Sequence, residues 1–329
     1  MRLPTVDELL ANVRVVALPM RTRFRGLDVR ETMLIASPMG GWGEFASFPE
    51  YDDAESAPWL ACAIEQAWNQ LPSVEERPVF REVVRSNATL PAVEAADVAT
   101  VLERFGDFRT VKVKVAEPGQ ALQDDIARVR AARSFVGAAG RVRIDANGGW
   151  NVDEAEHAIR ALEQFDLEYV EQPCTSVDEL YEIRSRVHGL GIAIAADESV
   201  RKATDPVAVA RAGAADILVI KVAPLGGVRR ALNLIDEAGL PVVVSSALES
   251  SIGLGASVDL AMRIEHLDFD CGIATNVLFE RDVLPPLTDC GTFAATPGIV
   301  DEKAAEELRV SPEREQWWHD RAARCLALL

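Results

Sequence analysis

Strand-length apolar runs recur along this chain at the period of one strand followed by one helix. The residues that end five successive runs, Asp145, Glu171, Asp197, Lys221 and Ser245, lie 26, 26, 24 and 24 positions apart. Eight such runs follow one another: VVRSNATL, RTVKVKV, RVRID, LEYVEQ, IAIAADES, DILVIKV, PVVVSS and FDCGIA. Between them lie segments such as 124–135 and 152–165, with apolar residues three and four apart, as amphipathic helices require. Alternation of this kind predicts an α/β fold with a parallel sheet, and eight strands invite a barrel. No GxGxxG follows a strand, so nothing favours an open dinucleotide-binding sheet instead.

Residues 1–84 break the period. Segments 13–19 and 29–37, then Gly40, Gly41 and Trp42, read as a hairpin-like sheet, and 58–71 as a helix. The expectation is a capping domain over 1–84, a barrel over 85–284, and a tail over 285–329 whose helix at 313–328 packs back on the cap. With 52 acidic against 34 basic side chains the net charge is -18, so nucleic acid is not an expected partner. No apolar run reaches the 18 or so residues of a membrane span, and the chain opens on Arg2, Pro4, Asp7 and Glu8 rather than a basic-then-apolar signal. A cytoplasmic protein is expected. Cys62, Cys174, Cys271, Cys290 and Cys325 show no CxxC spacing and read as isolated buried thiols. The four histidines form no HExxH-type cluster.

Only five of the 34 basic residues are lysines, at 112, 114, 202, 221 and 303. Against that arginine-rich background a retained lysine raises the question of proton transfer, which arginine cannot perform. In VKVKV, alternation sets Lys112 and Lys114 on the face opposite Val111, Val113 and Val115. On an edge strand they would be solvated; in a parallel barrel they point into the lumen and need charge or substrate to meet. Asp145, Glu171 and Asp197 end the next three runs, at the barrel end where active sites form. Each alone reads as a helix N-cap. Together they suit a hard divalent cation such as magnesium, and without an ion their charges would repel one another. Lys221 ends a run that is apolar on both faces. A metal flanked by lysines from opposite walls is equipped to remove a proton α to a carboxylate.

KVKV (Lys112, Lys114), DANGGW (Asp145, Asn147), EQP (Glu171), ADES (Asp197) and VIKVAPLGG (Lys221) together resemble the muconate lactonizing branch of the enolase superfamily. PMRTRFRGL, GWGEF, SNATLPA, KVAEPGQ, YVEQPC, VVVSSALESSIG and CGIAT extend the resemblance over nearly the whole chain, to the o-succinylbenzoate synthase family of actinobacterial type. The resemblance implies a modified TIM (β/α)7β barrel with an α+β capping domain built from the N-terminal region and the C-terminal tail. It implies Mg2+, with Mn2+ able to substitute, on Asp145, Glu171 and Asp197. It also implies a small-molecule carboxylate substrate, dehydrated in menaquinone biosynthesis, and no obligatory protein partner. Lys114 would act as base and then acid, with Lys112 beside it, and Lys221 would hold charge from the other face. Segment 21–26, including Arg25, would close over the substrate.

Further candidates are Asn147, just past a metal ligand, and Ser245 and Ser246, whose backbone N–H groups are aimed in this reading at the substrate's succinyl carboxylate, ahead of a helix starting near Ser250. Glu198 should point away from the lumen by alternation. Asp268 and Asp270 form a DxD pair like the one with which dipeptide epimerases hold a substrate ammonium. An N-acylamino acid racemase or dipeptide epimerase on the same scaffold therefore stays open. So does a non-catalytic binding barrel that docks through Trp317 and Trp318.

Overall fold

A computed structural model describes residues 2–284, 292–294 and 298–329. Cys290 and the rest of tail stretches 285–291 and 295–297 lie outside the described residues. The strands are β1 (Val13–Phe24), β2 (Leu27–Ala36), β3 (Trp42–Phe45), β4 (Val83–Arg85), β5 (Ala88–Leu90), β6 (Thr110–Lys114), β7 (Arg141–Asp145), β8 (Leu167–Glu171), β9 (Ala193–Ala196), β10 (Ile217–Ile220), β11 (Val242–Val244) and β12 (Thr292–Ala294). The helices are α1 (Val6–Leu10), α2 (Asp53–Ala67), α3 (Val98–Leu102), α4 (Leu122–Val136), α5 (Val152–Leu162), α6 (Val177–Val187), α7 (Glu198–Arg201), α8 (Ala208–Arg211), α9 (Val222–Leu225), α10 (Val228–Ala238), α11 (Ser251–Arg263), α12 (Glu302–Glu307) and α13 (Pro312–Leu326).

Strands β5 to β11 form one parallel sheet in sequence order, each followed by helix, as expected for a modified TIM barrel. Strands β9, β10 and β11 are apolar on both faces because helices cover the outside and packed side chains fill the inside, whereas β6, β7 and β8 also carry charged residues; β10 is buried throughout. Good start signals set the helices. Asn151 and Glu154 form a capping box on α5, and Ser176 and Glu179 form another on α6.

The eight expected runs need adjusting at both ends. VVRSNATL splits: β4 leaves the barrel to pair antiparallel with β12, and only β5 joins the parallel sheet. FDCGIA is not a strand, because the chain passes at once into the 3-10 turn Ala274–Leu278. It still closes the ring through single bridges from Cys271 to Ser86 and from Gly272 to Ser245.

In the cap, β1, β2 and β3 form an antiparallel sheet against α2. The hairpin arms run further than the sequence suggested, to Phe24 and Leu27, past a register shift after Pro19. Segment 21–26 is therefore a hairpin tip rather than a free loop, with Arg25 and Gly26 turning at positive φ. Helix α2 begins at Asp53, ahead of Pro58, because the Asp52 side chain accepts the Glu55 N–H and supplies a start that the proline does not. The tail returns to the cap as expected: Ala17 N–H donates to Leu308 O, Val310 N–H to Val15 O, and α13 packs on α2. Trp318 is fully buried against the Phe45 ring, and its indole N–H donates to Glu31. Trp317 is half-buried, edge-on to Trp318 with the Arg314 and Arg321 guanidiniums over its ring, so the pair does not present the exposed docking patch that a binding barrel would need.

Two cap carboxylates start barrel helices. Glu44 accepts the N–H groups of Ser250 (2.9 Å) and Gly253 (2.7 Å) at the head of α11. Glu65 accepts those of Val228 (2.5 Å) and Arg229 (3.3 Å) at the head of α10. Gly227 precedes α10 at φ 117, and a Cβ there would overlap the Glu65 carboxylate. Among the described residues no helix is long and apolar enough to cross a membrane.

Candidate active site

Alternation along β6 places Val111 and Val113 under the helices and Lys112 and Lys114 in the lumen. The parallel register sets Lys114 beside Asp145, and Asp145 beside Glu171, at the C-terminal ends of β6, β7 and β8. Asp197 follows β9 and Lys221 follows β10. Asp145, Glu171 and Asp197 are each 0% exposed. Lys112 Nζ donates to Glu171 Oε1 (2.9 Å) and Oε2 (3.0 Å) and lies 3.3 Å from Asp145 Oδ2. Lys114 Nζ donates to Asp145 Oδ2 and to Asn147 Oδ1, both at 2.5 Å. Lys221 Nζ donates to Asp197 Oδ2 at 2.6 Å. Strands β6 and β10 are four apart in a ring closed by the eighth run, so Lys114 and Lys221 face each other across the lumen.

Burial and neighbouring charge pull these groups in different directions. Burial alone raises Asp145, but Lys114 and Lys112 outweigh it and hold that carboxyl far below its usual range. Asp197 is likewise held down against burial by Lys221 and Arg201. Glu171 is pushed up to about 7 by burial and by the Asp145 charge. The Lys112 ammonium, against burial, is held up by Glu171 and Asp145. Lys221 is lowered, chiefly by burial.

Several sequence expectations change here. Arg201 Nε pairs with Asp197 Oδ1 at 3.1 Å, so a balancing arginine is present. Asp145, Glu171, Asp197 and Glu198 meet Lys112, Lys114, Lys221 and Arg201, and this lessens the mutual repulsion of the carboxylates without an ion. Glu198 does not point away: alternation stops where α7 begins, and its Oε1 accepts from Asn147 and Arg201. The backbone N–H groups of Ser245 and Ser246 are not available to a substrate, because they donate to Ile220 O and Gly272 O in closing the barrel. Their side chains do line the chamber, where the Ser246 and Thr275 hydroxyls are hydrogen-bonded.

Asp270 lies at the opposite end of the barrel, beside the start of β6, held by Arg109 through two 3.0 Å bonds and by Thr110. Asp268 is exposed. A DxD grip on a substrate ammonium is therefore absent from the chamber.

The chamber, about 30 Å3, is lined by Lys112, Lys114, Lys221, Asn147, Thr275 and Phe24 among others. It adjoins a cleft of about 700 Å3 that includes Arg23, Arg25, Glu198, Arg201 and Lys202. Arg25 lines both and stacks 4.4 Å over Phe48. Arg201 and Tyr51 were not singled out from sequence, and Glu198 was expected to point away. The signal was present for one of them: in DESVR, the turn from strand into helix brings Arg201, four residues on, back over Asp197.

Among the described residues no three carboxylate, histidine or cysteine groups stand close enough to ring one ion, since lysine ammoniums bridge the carboxylates. The donor chemistry nonetheless fits a hard divalent cation: three wholly buried carboxylates on consecutive strand ends, one of them raised by burial and then by the Asp145 charge.

Residues 15–67 match the family model described as enolase N-terminal domain-like, and residues 93–298 the one described as enolase C-terminal domain-like. An o-succinylbenzoate synthase of Mycobacterium bovis is 51% identical over 99% of this chain and 97% of its own length. One from Mycolicibacterium smegmatis is 49% identical over 99% and 98%. Among solved structures, a muconate lactonizing enzyme from Pseudomonas fluorescens superposes with a TM-score of 0.76 at 20% identity, covering 91% of this chain and 98% of that one. An N-succinyl Arg/Lys racemase from Bacillus cereus does so at 0.76 and 19%, covering 91% and 97%. The structural likenesses show the shared fold, and the sequence likenesses place the chain within it: it belongs to the enolase superfamily, in the o-succinylbenzoate synthase family.

Proposed function

We propose that this chain dehydrates 2-succinyl-6-hydroxy-2,4-cyclohexadiene-1-carboxylate to 2-succinylbenzoate, a step of menaquinone biosynthesis, in the cytoplasm. The observation that carries this reading is the pair of lysines facing each other across one buried chamber, each held by a strand-end carboxylate. Asp145, Glu171 and Asp197 would hold a divalent cation, Mg2+ in this reading with Mn2+ able to replace it, which supplies Lewis-acid charge to the substrate carboxylate. The rest of the chemistry falls to the protein's own groups.

Lys114 Nζ, as the free amine, takes the proton from the carbon α to the carboxylate. Negative charge then spreads onto the carboxylate, and Lys221 meets it from the opposite wall, with a cation–π contact to the forming ring. The Lys114 ammonium returns its proton to the departing hydroxide on the same face. One C–H and one C–O bond break, one C=C bond forms, and water leaves. Lys112 stays an ammonium between Asp145 and Glu171, keeping both carboxylates in place. Asn147 orients Lys114, the hydroxyls of Ser245 and Ser246 face the succinyl arm, and the hairpin tip with Arg25 covers the cleft. In this reading residues 85–284 are the catalytic domain, and 1–84 with 285–329 are the cap.

The test is a panel assay of the purified protein with the cyclohexadiene substrate and several N-acylamino acids and dipeptides. Formation of the aromatic product at a kcat/KM well above any epimerisation is expected. Faster racemisation of an N-acylamino acid than dehydration would overturn the reading.

A further inference from the structure

Behind the carboxylates runs a hydrogen-bonded circuit that the proton transfers do not account for. Arg201, 8% exposed on α7, donates Nε to Asp197 Oδ1 (3.1 Å) and Nη2 to Glu198 Oε1 (2.6 Å). A third bond runs to the Tyr51 hydroxyl of the cap at 3.4 Å. Glu198 Oε1 also accepts from Asn147 Nδ2 at 3.3 Å, and Asn147 Oδ1 faces Lys114 Nζ. At the other end, Asp197 Oδ2 accepts from Lys221. One guanidinium thus touches the Asp197 carboxylate that holds Lys221 and, through Glu198, reaches the Asn147 amide that faces Lys114.

We propose that Arg201 is a positioning residue for the dehydration, fixing the Asp197 carboxylate on the Lys221 side and, through Glu198, the Asn147 amide on the Lys114 side. The inference rests on the dehydratase reading above. A carboxylate has two equivalent oxygens, and Arg201 on Oδ1 leaves Oδ2 as the one that faces the lumen. An amide can present either end: with Nδ2 bound to Glu198, the oxygen faces the Lys114 ammonium, whereas a flipped amide would set its NH2 against that cation. The planar fork of arginine reaches both carboxylates in a set geometry, which a lysine ammonium on its flexible stem does not. The first turn of α7 supplies the placement, since the i,i+4 relation from Asp197 brings Arg201 back over it.

The test compares Arg201→Gln, Arg201→Lys, Asn147→Ala and the Arg201→Gln/Asn147→Ala double variant with wild type, all as the full chain. Misplacing a reacting group by about 1 Å costs about 100-fold in rate. Arg201→Gln should therefore lose about 10- to 100-fold in kcat, with KM within about threefold, and Arg201→Lys should lose less. The double variant should fall no more than about twofold below Arg201→Gln, because the Asn147 amide has already lost its orientation. A crystal structure of Arg201→Gln, which needs no turnover, should show the Asp197 carboxylate or the Asn147 amide turned. Wild-type kcat in a folded Arg201→Gln, multiplicative losses in the double variant, or unmoved Asp197 and Asn147 would each overturn the proposal. If Arg201→Gln does not fold, Arg201→Lys with unchanged kcat overturns it equally. A wild-type protein that fails to dehydrate the substrate sinks the dehydratase reading instead, which keeps the two failures distinct.

Discussion

Replacing Lys114 by arginine separates charge from proton transfer. The Lys114 side chain is 11% exposed and bonded to Asp145, so an arginine there keeps a cation beside a carboxylate that is itself wholly buried. The variant should therefore fold. A guanidinium does not give up its proton at any working pH, so both transfers assigned to Lys114 are lost. General acid–base catalysis contributes about 100- to 10,000-fold. Because one nitrogen removes the proton and returns it, the upper end applies: a loss of about 10,000-fold, or about 5 kcal/mol of barrier. Initial rates of aromatic-product absorbance, measured on protein whose circular dichroism matches wild type, report the loss directly. A Lys114→Arg rate within tenfold of wild type would refute the assignment of Lys114 and place the base elsewhere.

Chelation should abolish dehydration, and Mg2+ or Mn2+ should restore it; full activity in chelator-treated, metal-free protein would remove Asp145, Glu171 and Asp197 as ligands. Glu249 is buried and pushed up to about 7 from an ordinary 4.5, chiefly by burial and then by Glu44. Its folded state holds the proton more tightly than the unfolded chain, so its contribution to stability is full below about pH 4.5 and is lost as pH rises to about 7. Glu249→Gln should accordingly become more stable than wild type above pH 7, by about 3 kcal/mol, with the difference vanishing towards pH 4; a pH-independent difference in denaturant midpoints would contradict this. Asp268→Asn with Asp270→Asn should leave kcat for dehydration within about threefold while lowering the unfolding free energy by about 1–3 kcal/mol, because Arg109 and Thr110 lose a charged acceptor far from the chamber. A large loss of kcat in a folded double variant would show that the pair serves the site.

The barrel was legible because its two-sided burial writes itself into the sequence: β10 is apolar in every position, and the residue that follows it, Lys221, stands out for that reason. The same contrast exposed Lys112 and Lys114 among valines. Elements that depend on single hydrogen bonds were not legible. Nothing in FDCGIA announces that only Cys271 and Gly272 bridge their neighbours, and nothing in VVRSNATL shows that Val83–Arg85 leaves to pair with β12. Ser245 and Ser246 sat at the expected place, but the use of their N–H groups follows from ring closure, a long-range fact. The role of Glu198 was misread because period-two alternation was carried one residue past the strand end, into α7. Asp268 and Asp270 looked like a motif until the Arg109 side chain, 161 positions away from Asp270, was seen to hold it.

Helices α10 and α11 start on carboxylates that belong to a different part of the chain, Glu65 and Glu44. A cap that covered these helix starts without the two acids would leave bare, buried N–H groups, each an unfavourable desolvation of about 1–3 kcal/mol. Cap and barrel are thus a single unit of inheritance. A chimaera that grafts a foreign cap lacking acids at these two places should fail inside the barrel rather than at the splice. The same tether limits motion, since swinging the whole cap outward would break the Glu65 and Glu44 bonds to both helix starts at once. The Arg25–Gly26 end of the hairpin makes neither of these bonds and lines the cleft, so in the proposed reading substrate entry and product release fall to that tip.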